Sequence, residues 1–234
     1  MGNYLNFLNQ GSSKRTFSRK TDYIKYNFKK YIKLNNNKEF SVLEIGPGLG
    51  EAVKYFNDRG IKKIDVVDND EMVLNYIGSI FNIRKKILAN QLDEIESLLD
   101  SYDVIIATQV LEHITKDKHY AFLKTLYMHL KRGGYIIITA PNMANPFTSF
   151  ERYGDITHEI GFTDNSFRQL AIKCDIPQTM IEINGFNIPP YTPLNILRIV
   201  FQKIFHFIML ILSIINGGGY SMILTPNITL IVKK

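Results

Sequence analysis

The sequence predicts an α/β fold built on a doubly wound, mainly parallel sheet with helices on both faces. Three observations carry that expectation. Short apolar runs alternate with helix-forming segments from residue 41 to residue 139. The first run, Val42-Leu43-Glu44-Ile45, enters a loop with glycine at 46, 48 and 50, where the backbone can pass close to a ligand. The second, Ile64-Asp65-Val66-Val67, ends at Asp68, a carboxylate placed to grip ribose hydroxyls.

The elements follow in order. Residues 1–20 are polar and read as loosely ordered, and Thr21 or Asp22 caps a helix to about Leu34 that puts Ile24, Phe28, Tyr31 and Ile32 on one face. Strand one is 41–45, followed by a helix over 50–59 that Gly60 stops. Strand two is 63–67, a helix covers 71–80, strand three is 87–89, and a helix covers 92–99. Strand four, 103–108, is apolar enough to be buried on both faces. A helix over 118–130 closes at Gly133-Gly134, read as its C-cap, before strand five at 135–139. Residues 143–163 read as loop, 164–174 as helix, 180–183 as strand six, 194–215 as a long apolar helix, and 227–232 as a last strand.

With 234 residues, 45% of them hydrophobic, the chain suits one α/β domain with a small cap. The expected organisation is a basic N-terminal helical arm over 1–40 and a catalytic domain over 41–234, whose residues 143–225 form a substrate-binding insertion and the apolar helix. The single cysteine, Cys174, excludes an internal disulfide and fits a reducing cytoplasm. Met1-Gly2-Asn3-Tyr4 does not open a signal peptide. Residues 1–40 hold nine Lys and Arg against Asp22 and Glu39, an excess of seven where the whole chain has +6. Such an arm can attract an anionic membrane, nucleic acid or a phosphorylated small molecule, and reads equally as the solvated tail of a Lys- and Asn-rich chain.

Leu194 to Ile215 is long enough to span a bilayer, but Arg198 and Lys203 lie within it. Each costs roughly 2.5–3.5 kcal/mol near the centre of a lipid-embedded helix. The expectation is a helix docked on its own domain or on a second copy, as in a homodimer. The alternative is one attached shallowly to the inner face of a membrane.

The glycine spacing separates nucleotide classes. The dinucleotide loop is G-x-G-x-x-G, whereas here the third glycine comes one residue early and no Lys-Ser/Thr pair follows. With Glu44 before it and Asp68 after it, Glu44-Ile45-Gly46-Pro47-Gly48-Leu49-Gly50 resembles motif I of the class I S-adenosylmethionine (SAM) methyltransferases, over residues 40 to 142. The resemblance implies a Rossmann-like seven-stranded sheet with an antiparallel last strand. It also implies SAM as cofactor, with Glu44 toward its ammonium group, Gly46, Gly48 and Gly50 along its amino-acid end, and Asp68 on the ribose. Asn69 and Met72 would then line the adenosine. Asn90 and Gln91 stand where the family usually has an acid for the adenine amine, a departure that leaves that contact open.

Tyr102 to His113 resembles motif IV of the small-molecule branch, with its Val-Leu-Glu-His signature at Val110 to His113, and Gln109 emerges at the strand end where the cofactor lies. The ribosomal RNA adenine dimethyltransferases share the Gly-Pro-Gly loop but carry Asn-Leu-Pro-Tyr at motif IV. This chain has Thr108-Gln109-Val110-Leu111, so nucleic acid is not the expected partner.

Arg152-Tyr153-Gly154-Asp155-Ile156-Thr157-His158-Glu159, followed by Phe162-Thr163, resembles a segment of bacterial methyltransferases encoded with surface-polysaccharide genes. A sugar hydroxyl needs to lose a proton, so a base with a pKa near 7 helps, and His158 and His113 are the catalytic candidates. Asn142, Arg152, Asp155 and Glu159 are candidate substrate contacts, and Arg15 and Arg19 can meet a phosphate. No metal is assigned, a divalent ion on Asp155, His158 and Glu159 being the less favoured reading. The expected function is O-methylation of a sugar-linked, nucleotide-activated or phosphorylated precursor of capsule or lipopolysaccharide. Methylation of a quinone or lipid precursor, or a non-catalytic SAM-binding partner subunit, stays open.

Overall fold

The computed structural model describes residues 13–32, 39–90 and 93–234. The sheet has seven strands: β1 (Ser41–Ile45), β2 (Lys63–Asp68), β3 (Lys85–Leu88), β4 (Tyr102–Thr108), β5 (Leu130–Pro141), β6 (Ile181–Gly185) and β7 (Asn227–Lys233). Their order is β3-β2-β1-β4-β5-β7-β6. β1 to β5 pair in parallel, while β7 runs antiparallel to both β5 and β6. The chain reverses direction across the sheet between β1 and β4, and in such sheets ligands bind beyond the carboxyl ends of the strands at that switch.

Side chains alternate along the central strands, so each face gathers its own core. On one face Val42, Ile64, Val66, Ile106 and Ile137 pack with α1 (Lys14–Phe28), α2 (Glu51–Asn57) and α3 (Glu71–Ile80), through Phe28, Phe56 and Ile77 among others. On the other, Leu43, Ile105, Ala107, Ile136 and Ile138 pack with α4 (His119–Met128) and α6 (Asp164–Lys173), through Leu123, Leu126 and Phe167. Asp65 is fully buried on the second face, where the Arg84 guanidinium and the Tyr102 hydroxyl satisfy its carboxylate.

Several expectations change. The first helix starts at Lys14, not near Thr21, because Ser13 accepts a hydrogen bond from the Thr16 N–H and caps it. Its expected end at Leu34 lies outside the described residues. Gly133 and Gly134 do not cap a helix, since α4 already stops at Met128. They sit in a bulge of β5, between the pairs Tyr102–Leu130 and Val104–Tyr135. A Cβ on Gly134 would lie 2.7 Å from the Asp103 carbonyl oxygen, which accounts for glycine there. The 92–99 helix is a 3-10 helix over Asp93–Leu98, and the 143–163 segment contains a short helix, α5 (Ser149–Gly154).

The long helix α7 (Pro193–Ile215) has no buried residue. A stripe including Gln202, Phe205 and His206 faces the body, while Leu197, Phe201, Ile204, Ile208, Ile211 and Ile215 are exposed.

Candidate functional site

A cavity of about 1170 Å³ opens beyond the carboxyl ends of β1, β2, β4 and β5. A pocket for one small ligand occupies roughly 300–1,000 Å³, so this one has room for two molecules side by side. Its floor is the loop after β1. Gly46 sits at φ +63°, and a Cβ there would fall 2.6 Å from Val110 Cγ2, so glycine is required for the loop to pass the end of β4. Gly48 also lines the cavity. Gly50, at φ +90°, lies off the wall and serves as the N-cap of α2.

Two carboxyl groups face this floor. Glu44 is 3% exposed and its Oε2 has no hydrogen-bond partner. Burial holds its pKa well above the usual carboxylate range, and the nearby Glu51 charge adds to the shift. Asp68 accepts the Asp70 N–H at 2.9 Å through Oδ1, and burial pushes its pKa up to about 6. A buried carboxylate oxygen with no partner is costly, and Glu44 can be relieved by a ligand cation. These residues therefore fit SAM, with Glu44 toward the ammonium group, the 46–48 loop along the amino-acid end and Asp68 on the ribose. Asn69, Asn90 and Gln109 are on the same wall. Met72 is not; its N–H caps α3 through Asp70 Oδ1 and its side chain is 40% exposed. Gln91 lies outside the described residues.

The other half of the cavity lies under α1 and over the ends of β4 and β5. Gln109 has φ +56°, a conformation that costs a non-glycine residue of order 1–3 kcal/mol. Its N–H donates to the Thr139 carbonyl at 3.0 Å and its Nε2 reaches Asn227 Oδ1 at 3.4 Å. Thr108 and Thr139 pair across β4 and β5 and line the wall, and their buried hydroxyls have no hydrogen-bond partner. From α1 come Arg19, Lys20 and Tyr23. Lys20 also pairs with Glu51 at 3.4 Å, and Asn27 exchanges hydrogen bonds with Asn187, so α1 is tied over the cavity at two places. Arg15 is exposed and off the wall.

The 152–160 segment is fastened against the turn after β4. The Glu159 N–H donates to the Glu112 carbonyl at 2.7 Å, and the Arg152 guanidinium donates to the carbonyls of His158 and Glu159. Asp155 accepts from both the backbone N–H and the hydroxyl of Thr157. Arg152, Asp155 and Glu159 thus hold the segment together and lie off the wall, where substrate contacts were expected. Asn142 is fully buried and donates to the carbonyls of Ile223 and Thr225, so its expected substrate contact gives way to a tie between two loops.

His113 is on the wall, and its ring centroid lies 4.6 Å from that of His158. His113 Nδ1 is 2.8 Å from Thr157 Oγ1. Burial lowers the His113 pKa, and the neighbouring His158 lowers it further. Beside the pair, Glu112 is fully buried with neither carboxylate oxygen hydrogen-bonded, and burial raises its pKa to about 8. Motif reading treated Glu112 as part of a signature and missed it as a site residue. It also missed Thr139, Lys20 and Asn227, because only strand register and helix packing bring them to the cavity.

A family model described as a methyltransferase domain matches residues 14–172. No curated protein matches the chain in sequence. Solved structures do resemble it. One is a SAM-dependent methyltransferase from Archaeoglobus fulgidus, with TM-score 0.66 at 20% identity, covering 98% of this chain and 99% of that one. Another is the plantazolicin methyltransferase BpumL in complex with S-adenosylhomocysteine (SAH), with TM-score 0.59 at 15% identity, covering 98% and 88%. A third, a SAM-dependent methyltransferase from Thermotoga maritima described as a possible histamine N-methyltransferase, gives 0.57 at 14%, covering 99% and 97%. At these identities the structural likeness concerns the fold.

The burial of Asp68 sets two opposed effects. Below about pH 4 its carboxyl is neutral in both folded and unfolded chain, so the burial penalty is absent. The penalty grows as pH rises and is complete above about 6. Asp68→Asn is expected to raise the stability of the free protein at pH 7.5 by roughly 1–3 kcal/mol while weakening SAM binding. Urea denaturation and calorimetric titration check the pair, and wild-type SAM affinity is expected to fall as pH drops below 6.

Proposed function

The chain belongs to the methyltransferase-domain family and is a SAM-dependent methyltransferase, and from that premise we propose that it methylates a hydroxyl oxygen of a phosphate-bearing, sugar-linked small molecule. The observation that carries this reading is the placement of His113 on the acceptor half of the cavity, beside the buried Glu112 and His158. An alcohol becomes a good nucleophile only as its proton leaves, and this is the group on the wall able to promote that loss. When bound, SAM supplies an electrophilic methyl group on a sulfonium. Glu44 and Asp68 hold the cofactor half, the Thr108 and Thr139 hydroxyls offer hydrogen bonds to a polyhydroxyl acceptor, and α1 covers the site and limits water.

Arg19, Lys20 and Lys118 are cations on the wall and support an anionic acceptor group. Surface-polysaccharide precursors remain the favoured class because of the likeness of the 155–163 segment noted above. The test is methyl transfer from labelled SAM to nucleotide sugars and to prenylated phenols. Transfer to the former is expected, with His113→Ala lowering kcat by roughly 10²–10⁴-fold at unchanged SAM affinity. Arg19→Ala with Lys118→Ala is expected to raise KM for a phosphorylated acceptor about tenfold or more. Methylation of prenylated phenols alone would replace this reading.

We also propose that the enzyme works against an anionic membrane surface. α7 is long and apolar enough to cross a membrane by length and composition, yet Gln202 lies on the cavity wall and the Phe205 ring is 5.3 Å from that of Phe147. The helix therefore stays on the body, with its apolar side outward. Phe150, Tyr153 and Ile156 add exposed apolar side chains, and Arg198 and Lys203 add positive charge without any acidic residue in the helix. Co-sedimentation with vesicles containing anionic lipid is expected, reduced in neutral vesicles and lost in Phe201→Glu with Ile208→Glu. A monodisperse dimer that ignores vesicles would assign the surface to a second copy instead.

A further inference from the structure

We propose that Glu112, His113 and His158 form a binding site for a first-row divalent cation that holds the acceptor oxygen. The proposal deepens the hydroxyl-methylation reading and rests on it for the cation's role. One ligand atom from each residue lies within 4.8 Å of the others, so small side-chain rotations bring the three onto one ion. Glu112 is 0% exposed and both its carboxyl oxygens lack a hydrogen-bond partner, so a carboxyl group is buried beside two imidazoles with its ligating oxygens uncommitted.

The hydrogen bonds around the imidazoles fix their tautomers as ligands require. His158 Nδ1 is 2.8 Å from the Glu151 carbonyl oxygen, which can only accept, so Nδ1 carries the proton and Nε2 keeps its lone pair. The Thr157 hydroxyl donates to Asp155 Oδ1 at 2.6 Å, so its oxygen accepts from His113 Nδ1–H, and His113 Nε2 also keeps its lone pair. Arg152 holds the His158 carbonyl in place. Ligating histidines typically show this arrangement, in which the second ring nitrogen is anchored by a carbonyl or carboxylate relay. Two imidazoles and one carboxylate suit zinc, iron, cobalt or manganese and leave coordination positions open.

His113 and Thr157 line the cavity, so an open position faces the acceptor. An acceptor hydroxyl bound there loses its proton to water more readily. Its oxygen then forms the bond to the methyl carbon as the methyl–sulfur bond breaks, and that electron pair stays on sulfur, which becomes a thioether. His113 thus promotes the loss of the acceptor proton through the ion that it and His158 hold.

The test uses the full chain after EDTA treatment, titrated with Co²⁺, Zn²⁺ and Mn²⁺. One ion per chain is expected, with visible absorption of the Co²⁺ form showing nitrogen ligation. Thr157→Val is expected to weaken binding about 10–100-fold, and Glu112→Gln and His158→Ala to weaken it further, while each variant still binds SAM by calorimetry and so is folded. Stoichiometric ion binding without methylation of any alcohol would support the site and strike the acceptor reading alone. No ion bound, or binding unchanged in Glu112→Gln and His158→Ala, would overturn the site. So would full-rate methylation of an alcohol by the EDTA-treated chain.

Discussion

Burial of carboxyl groups at the carboxyl ends of the parallel strands is the constraint on which the rest of the molecule depends. Glu44 and Asp68 stand at the ends of β1 and β2, buried, and Glu44 Oε2 has no hydrogen-bond partner while Asp68 accepts only backbone N–H groups. Elsewhere the same fold answers a buried carboxylate in full, as Arg84 and Tyr102 do for Asp65. The contrast is chemical: Asp65 meets a cation and a hydroxyl of the chain itself, whereas Glu44 and Asp68 face a cavity with no cation of the chain hydrogen-bonded to them. A cationic cofactor with a ribose supplies what is missing, and the stability withheld from the free protein becomes affinity.

The neighbouring parts follow from that placement. In the 46–50 loop Gly46 is crowded by Val110 just past β4 and Gly50 by Phe81 and Ile77, so neither position has room for a Cβ. Gln109 adopts a left-handed conformation at the same strand end, and the chain then turns so that Glu112 and His113 meet the 155–158 segment. Glu112 repeats the theme, a buried carboxylate without partners beside two oriented imidazoles. Two buried carboxyl groups thus keep unpartnered oxygens at or beside the cavity, Glu44 for the cofactor and Glu112 for the proposed cation.

Much of this was legible in the sequence, because local chemistry determines it. Motif I, Asp68 and the strand–helix alternation depend on residues close together in the chain, and the seven-stranded sheet with its antiparallel last strand followed from the family resemblance. What was not legible depended on distant contacts. The Gly133-Gly134 pair looks like a helix cap but is a bulge, because the crowding atom is the carbonyl of Asp103. Asn142 looks like a substrate contact but is consumed by the 223–225 loop, eighty residues away in sequence. Thr139 reaches the cavity only through its register with Thr108. The acid, histidine and arginine of the 152–159 segment suggested a reactive loop. Most of them fasten the loop, and the reactive pairing runs from His158 to residues of the turn after β4.

The central claim is that burial of the unpartnered Glu44 carboxyl raises its pKa in the free protein and that a cationic ligand reverses this shift. Calorimetric titration of SAM near neutral pH, repeated in buffers of different ionisation enthalpy, measures this directly. Net proton release on binding, abolished in Glu44→Gln, is the expected result. Binding without proton release, or release unchanged in Glu44→Gln, would contradict it.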